Sequence, residues 1–459
     1  MFDGTIAAIA TAPGEAGIGI VRISGDKAVE ILKKVFKPKR KTDIDEIPSR
    51  TVVYGYAVDN NGMVLDEVLV IIMRKPYSYT TEDVVEIHCH GGIVPVRRIM
   101  EEVLRSGAYI AEPGEFTKRA FLNGRIDLAQ AEAVIDVITS KTETGLNAAL
   151  DQLEGELSKE IKEIMSMLLS MLAHIEASID FPEHDVEEIT VEKIRDMLIE
   201  AKASAAALAE SFEEGKIVRD GLSTAIIGRP NVGKSSLLNV LLKESRAIVT
   251  EVPGTTRDII EEFLNIGGVL IKLIDTAGIR ETEDIVERIG VERTKTAIDN
   301  SDLVILVLDA SEELSREDIE IMDSIKGKKV IVVLNKTDLG LNINEKHLTD
   351  LFGDDNIVEM SVKERIGIDR LEERIKGLVF HGRLSIGKNK MVTSIRHKNL
   401  LDRALESMEK ALSSIEEGIP VDLISVDIRE AWSNLGAITG DTVEEDIVKE
   451  IFSKFCIGK

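Results

Sequence analysis

Apolar positions change rhythm several times along this chain. In residues 1–118, short β-rich runs alternate with helical ones. Residues 17–23 read as a strand and 28–36 as a helix; 51–58 and 64–73 read as paired strands about Asn60-Asn61-Gly62. A further strand over 84–88 and a helix over 93–105 follow. Strand signals vanish from Arg119 onward. Leu153, Leu157, Ile161, Ile164, Leu168, Leu172, Ile175 and Ile179 recur at steps of three and four, giving one apolar helix face that Phe181-Pro182 ends. Residues 191–212 are Ala-rich and again helical. The strand rhythm returns at 223–227, at 258–266 and 269–274 on either side of Gly267-Gly268, and in the apolar runs 303–308 and 330–334. Those last runs are apolar on both faces, as a buried parallel sheet requires. Residues 398–415 and 424–435 read as helices. The pattern predicts a multi-domain α/β plus all-α protein: a mixed α/β domain over 1–118, helices over 119–220, an α/β domain over 221–380, and helices over 381–459. In that order, the third domain interrupts one helical bundle.

Bulk composition fits this division. The 459 residues allow roughly three domains of ~150 residues, and 44% hydrophobic content supports a sizeable core. The net charge of −25 argues against a generic basic nucleic-acid-coating protein; residues 1–118 carry −2 of it, so a local basic groove is still allowed. Two cysteines, Cys89 and Cys456, form no disulfide framework and suit a reducing compartment. No secretory leader and no apolar stretch of the ~20 residues that span a bilayer stand out, so the expected location is cytoplasmic, with no membrane partner.

The chemistry concentrates after the strand at 223–227. Gly228-Arg229-Pro230-Asn231-Val232-Gly233-Lys234-Ser235 is a phosphate-binding loop in its required strand–loop–helix setting, continued by Ser236. Its glycines let backbone N–H groups converge on phosphate oxygens at a helix N-terminus. Lys234 reaches the β and γ phosphates and Ser235 offers a hydroxyl to Mg²⁺. Further parts follow in order. Thr255-Thr256-Arg257-Asp258 can close on Mg²⁺ when a γ phosphate is present. Asp275-Thr276-Ala277-Gly278 places a carboxylate toward Mg²⁺ and an amide toward the γ phosphate. Asn335-Lys336-Thr337-Asp338 supplies a carboxylate that pairs with N1 and the 2-amino group of guanine and finds no such donors on adenine. Ser361-Val362-Lys363 closes the base pocket. Four ordered motifs point to GTP. The segment resembles the Ras-like, translation-factor class of GTPases, with one departure: Ile279 stands where many such proteins carry a water-orienting glutamine. Hydrolysis then needs another water-positioning group and another charge stabiliser, and the carbonyl oxygen of Asn231 could ligate a monovalent cation.

Other motifs are weaker. Gly14, Gly17 and Gly19 lack the third glycine of a dinucleotide fingerprint, since Arg22 occupies that place. His88 and His90 would share a strand face, but a zinc site needs about four ligands and no partner cluster appears nearby, which favours a turn and packing role. Cys456 lies fourth from the end, yet Gly458 and Lys459 make a poor prenylation box; a flexible C-terminal thiol near a site fits better.

Taken together, the chain resembles the tRNA modification GTPase family called MnmE or TrmE, over its whole length. The resemblance rests on Gly17-Ile18-Gly19-Ile20-Val21-Arg22-Ile23-Ser24-Gly25, Gly91-Gly92, Pro113-Gly114-Glu115-Phe116, Arg119-Ala120-Phe121-Leu122-Asn123, Asp127-Leu128-Ala129-Gln130-Ala131-Glu132, the GTPase motifs and the terminal Cys456-Ile457-Gly458-Lys459. It implies an N-terminal folate-binding domain that also makes a homodimer, a helical domain split by the GTPase domain, and a heterotetramer with the flavoprotein MnmG (GidA). Such complexes add a carboxymethylaminomethyl-type group to carbon 5 of the wobble uridine of certain tRNAs. The resemblance further implies that Arg22, Glu86, Arg125 and Lys459 contact 5-formyltetrahydrofolate and that Cys456 is needed for modification. It implies that Asn231, Thr250, Val252 and Thr255 bind K⁺, within a loop that also holds Glu251, Pro253 and Gly254 near the nucleotide. Ser235 and Thr256 would ligate Mg²⁺, and Glu287 would position the attacking water. A ribosome-assembly GTPase without modification activity is the competing expectation; it lacks a recognisable appended RNA-binding module.

Overall fold

A computed structural model describes residues 4–180, 191–244, 262–274, 295–380, 391–443 and 445–459. The chain forms two compact units that interleave in sequence: 1–135, 152–201 and 406–459 make one, and 136–151 with 202–405 make the other.

The first unit contains a seven-stranded sheet built from β1 (Ile6–Ile9), β2 (Ala16–Ser24), β3 (Phe36–Pro38), β4 (Thr51–Val58), β5 (Val64–Met73), β6 (Val84–Gly91) and β7 (Tyr109–Ile110). Their order is β3-β4-β5-β6-β2-β1-β7. The pairs are antiparallel except β1 with β7. Strict alternation makes one face of this sheet: Val21, Ile23, Val68, Val70, Ile72, Val85 and Ile87 point inward. They pack with Val29, Leu32, Ile99 and Val103 from the helices Ala28–Val35 and Ile93–Arg105. The opposite face carries Arg22 and Glu86, placed directly across from each other by the β2–β6 register. The β4–β5 pairing joins the two expected strands, with Gly62 in the turn at a φ of +79°.

The helical part of this unit pairs Glu156–Asp180 with Val421–Thr439. Its apolar stripe does not run through one helix. The stripe expected from Leu153 to Ile179 is divided at Gly155, whose φ of +93° ends Glu143–Glu154 before Glu156–Asp180 begins. Leu153 therefore belongs to the earlier helix. The C-terminal helix Glu445–Ser453 packs on Glu115–Leu122, clustering Phe452 and Phe455 with Phe121 and Leu128.

The second unit holds a six-stranded sheet of β8 (Leu222–Ile227), β9 (Glu262–Ile266), β10 (Val269–Leu273), β11 (Leu303–Asp309), β12 (Lys329–Asn335) and β13 (Ile357–Glu359), ordered β13-β12-β11-β8-β10-β9. All neighbours are parallel except β9, which turns back on β10 at Gly267-Gly268. Every residue of β11 is buried, matching its unbroken apolar run. A sheet covered on both faces binds ligands at the carboxyl ends of its strands. The loops after β8, β11 and β12 leave those ends.

Candidate functional site

In the second unit, β8 delivers the chain into the loop 228–233 and the helix Lys234–Glu244 begins at once. The loop's shape is dictated by its residue types. Gly228 and Gly233 have φ of +149° and +104°. A Cβ on Gly228 would lie 2.3 Å from the Val307 carbonyl oxygen, and one on Gly233 would lie 2.2 Å from Asn335 Nδ2. Asn231 takes φ +64°, a left-handed conformation that asparagine tolerates better than most residues. Lys234 Nζ donates to the carbonyls of Gly228 at 2.6 Å and Arg229 at 2.7 Å, closing the loop on itself. Burial pushes the Lys234 amine below its ordinary value. An anionic ligand within reach would offset that penalty. Ser235 and Ser236 are exposed at the helix start.

The base-pocket residues converge on the same end of the sheet. Asn335 ends β12; its Nδ2 donates to the Val232 carbonyl at 2.8 Å and its Oδ1 accepts from the Val362 amide at 3.1 Å. One side chain thus ties the phosphate loop to the segment expected to close on the base. Ser361 Oγ donates to Asp338 Oδ1 at 2.7 Å, holding the carboxylate beside Val362. Lys336 takes φ +66° and reaches Asp309 Oδ2 at 2.6 Å. Burial alone would raise the Asp309 carboxyl. Hydrogen bonds from Lys336 and Ser311 outweigh it and hold the group below the usual carboxylate range. Thr337 lies in a short 3-10 turn, and Lys363 is exposed. Thr250, Glu251, Val252, Pro253, Gly254, Thr255, Thr256, Asp275, Thr276, Ala277, Gly278, Ile279 and Glu287 lie outside the described residues.

A second cluster forms in the first unit. Arg22 Nε donates to Glu86 Oε1 at 2.8 Å, and Arg22 Nη1 donates to the Gly458 carbonyl at 3.0 Å. With side chains 17% and 16% exposed, the Arg22–Glu86 pair is shielded well beyond the surface case, worth ~0–1 kcal/mol. The other Glu86 oxygen lies 3.3 Å from His88 Nε2. The Arg22 guanidinium sits 5.7 Å from the centre of the Phe116 ring. Lys459 closes the cluster; burial, then the Arg22 charge, lowers its amine. Arg125 is held apart from this pair. It lies over the Tyr79 ring at 4.7 Å and donates to the Tyr79 carbonyl. Tyr79 Oη in turn meets Thr117 Oγ1 at 2.9 Å.

The tail is seated, not free as the sequence suggested. The Cys456 carbonyl accepts from the Gly114 amide, Phe455 is buried, and Gly458 has φ +92° with no room for a Cβ, which would lie 2.5 Å from the Ile9 carbonyl oxygen. Cys456 and Ile457 face solvent. His88 and His90 do share a face, but they serve different carboxylates, Glu86 and Asp66. Among the described residues, no group of three or more His, Cys, Asp or Glu side chains could hold a metal. Cys89 points inward, donates to the Gly19 carbonyl, and is pushed up to about 11 by burial.

Sequence reasoning missed His88 and Phe116 as neighbours of the Arg22–Glu86 pair, Tyr79 as the partner of Arg125, and Asp309 as the partner of Lys336. No local spacing links them; sheet register and tail docking do. The missed Arg229 carried one signal, its place inside the loop.

Two family models cover nearly the whole chain. One, for the GTP-binding protein TrmE N-terminus, matches residues 5–125, and one, for the MnmE helical domain, matches residues 128–456. The tRNA modification GTPase MnmE of Alkaliphilus oremlandii is 54% identical over 459 residues, covering 100% of both chains. That of Clostridioides difficile is 50% identical over 458 residues, again covering 100% of both. Among solved structures, an Aquifex aeolicus Era variant bound to GDP·AlF4⁻ is 29% identical, covering 40% of this chain and 66% of its own, with a TM-score of 0.25.

Proposed function

The chain belongs to the MnmE family of tRNA modification GTPases, and on that premise we propose that a potassium-dependent cycle of GTP hydrolysis here drives addition of a carboxymethylaminomethyl-type group to the wobble uridine of tRNA. The coarser statement needs no proposal: this is a GTP hydrolase acting in tRNA modification. The nucleotide pocket in this reading is supported most by one observation, the Asn335 side chain joining the phosphate loop at Val232 to the base segment at Val362. Asp338 and the phosphate loop follow β12 and β8, which flank β11 in the sheet, so the proposed base-reading carboxylate and phosphate-reading loop share its carboxyl edge.

In this reading the loop amides and Lys234 hold the β and γ phosphates, Ser235 and Thr256 hold Mg²⁺, and Asp338 reads guanine while Ser361, Val362 and Lys363 cover it. Asn231 presents its side chain from a left-handed turn. With Thr250, Val252 and Thr255 it would bind K⁺, whose charge would stabilise the γ phosphate as it leaves. Glu287 would orient the water that Ile279 cannot. Asp275 through Gly278 would sense the γ phosphate and switch conformation on hydrolysis.

The first unit supplies the second half of the proposal. Arg22, Glu86 and Lys459 lie together beside the exposed Cys456. A cation–carboxylate pair next to an aromatic ring suits a molecule with a flat heterocycle and carboxylates, and 5-formyltetrahydrofolate has both. Arg125 would reach its outlying part. The folate would supply one carbon; the protein side chains bind and orient it. Domain limits of 1–118, 119–220, 221–380 and 381–459, a homodimer, a heterotetramer with a flavoprotein and a cytoplasmic site of action complete the proposal. Among the described residues no helix is long and apolar enough to cross a membrane. The ribosome-assembly alternative loses ground to relatives of equal length that are named for tRNA modification. Steady-state hydrolysis in K⁺ against Na⁺ tests the cation: K⁺ should be much faster and Asn231→Lys should erase the difference, whereas equal rates in the two salts would refute it.

A further inference from the structure

Building on the nucleotide site proposed above, we infer that Arg229 is a positioning residue that clamps the phosphate loop to the start of the helix Arg316–Ser324. Its guanidinium reaches Asp318 in the first turn of that helix and Glu312 in the segment before it. Nη2 donates to Glu312 Oε2 at 2.5 Å, and Nε lies 3.4 Å from Asp318 Oδ2. The Arg229 side chain is 21% exposed and that of Asp318 only 3%. Asp318 is a rigid anchor. Its Oδ2 accepts from the Ser315 amide and hydroxyl, and its own amide donates to Ser315 Oγ, a complete capping box.

The other end of Arg229 is equally held, since its carbonyl accepts from Lys234 Nζ at 2.7 Å. One residue therefore joins the loop lysine to a fixed helix terminus. The loop needs such a brace. Gly228, Asn231 and Gly233 hold left-handed or otherwise positive-φ backbone conformations, and loop amides bind phosphate only when they converge. Removing the Arg229 charge leaves the Asp318 carboxylate, 3% exposed, without its cation. The same stretch of chain leaving β11 also carries Asp309, which fixes Lys336. It thus braces the phosphate-binding and base-binding sides together.

The test is a fluorescent-GDP titration and steady-state GTP hydrolysis of the full chain, with folding checked by circular dichroism. Arg229→Ala should raise the GDP Kd and the GTP KM by roughly tenfold, ~1.4 kcal/mol, while kcat changes by less than about threefold. Arg229→Lys should recover most of the affinity. Asp318→Asn should weaken binding, and the double variant Arg229→Ala/Asp318→Asn should bind no worse than Arg229→Ala, because the two act through one contact. A merely structural role would lower the melting temperature and leave the Kd of the folded protein unchanged. A folded Arg229→Ala with a GDP Kd within about twofold of wild type overturns the inference. If Arg229→Ala does not fold, a folded Asp318→Asn with a GDP Kd within about twofold of wild type overturns it instead. A wild-type chain that fails to bind GDP would overturn the nucleotide site itself, a distinguishable result.

Discussion

In the nucleotide unit, Lys234 is held by carbonyls five and six residues back along the chain. In the N-terminal unit, Arg22 is held by a carbonyl 436 residues ahead. Both are cations proposed to meet an anionic ligand, but one site is made by a local turn and the other by sheet register and a docked tail. A local turn needs its residue types at fixed spacing, so it leaves a motif. A register-built site needs only that two strands pair, so Arg22 and Glu86 leave no pattern between them. The two also differ in what can break them. The phosphate loop fails through its own residues, while the Arg22 cluster can fail through the last two residues of the chain.

The largest expected separation of the two comes from Lys234→Ala. GTP hydrolysis should fall by ~10²–10³-fold, the scale of losing one preorganised charge at a developing anion, while 5-formyltetrahydrofolate binding by the same preparation stays intact. Parallel loss of folate binding would mean the units are not independent. Next, Asp338→Asn should cost GTP about 10²-fold or more in affinity and improve xanthosine triphosphate, because the amide now donates where the carboxylate accepted. An unchanged preference for GTP would remove Asp338 from the base pocket.

The converse experiment removes Gly458 and Lys459. Hydrolysis should be unaltered, and folate affinity should drop several-fold as Arg22 loses its carbonyl partner and the proposed Lys459 contact goes with it. Gly458→Ala should act in the same direction but more weakly, through the close approach to Ile9. Isothermal titration of the folate on both variants decides this; unchanged affinity would make the tail a bystander. The smallest effect separates the two cysteines. Burial raises the Cys89 thiol to about 11, so it stays protonated and inert at pH 8, whereas Cys456 is exposed. Iodoacetamide at that pH should add one label, on Cys456, by peptide mass mapping; labelling of Cys89 would contradict its packing against Gly19.

The same contrast explains how much the sequence revealed. The strands 51–58 and 64–73 were legible because β alternation and an Asn-Gly turn agree, and the structure reproduces both as Thr51–Val58 and Val64–Met73. The buried run at 303–308 was legible because a strand covered on both faces has no polar positions to confuse it. Gly155 was overlooked because the apolar stripe continues in phase across it, and only its backbone conformation breaks the helix. The tail read as flexible because Ile457, Gly458 and Lys459 have no periodicity; its order comes from Gly458 fitting against β1 and from Arg22. The phosphate loop was legible in kind but not in its support, since Arg229 finds Glu312 83 residues away.

The nucleotide cycle proposed here serves carbon-5 modification of wobble uridine. Its most direct test is nucleoside analysis of tRNA from a strain lacking this chain, complemented with wild type or with Lys234→Ala. The deletion should lose a carbon-5-substituted wobble uridine, wild type should restore it and Lys234→Ala should not. An unaltered nucleoside profile in the deletion strain, or full restoration by Lys234→Ala, would contradict the account.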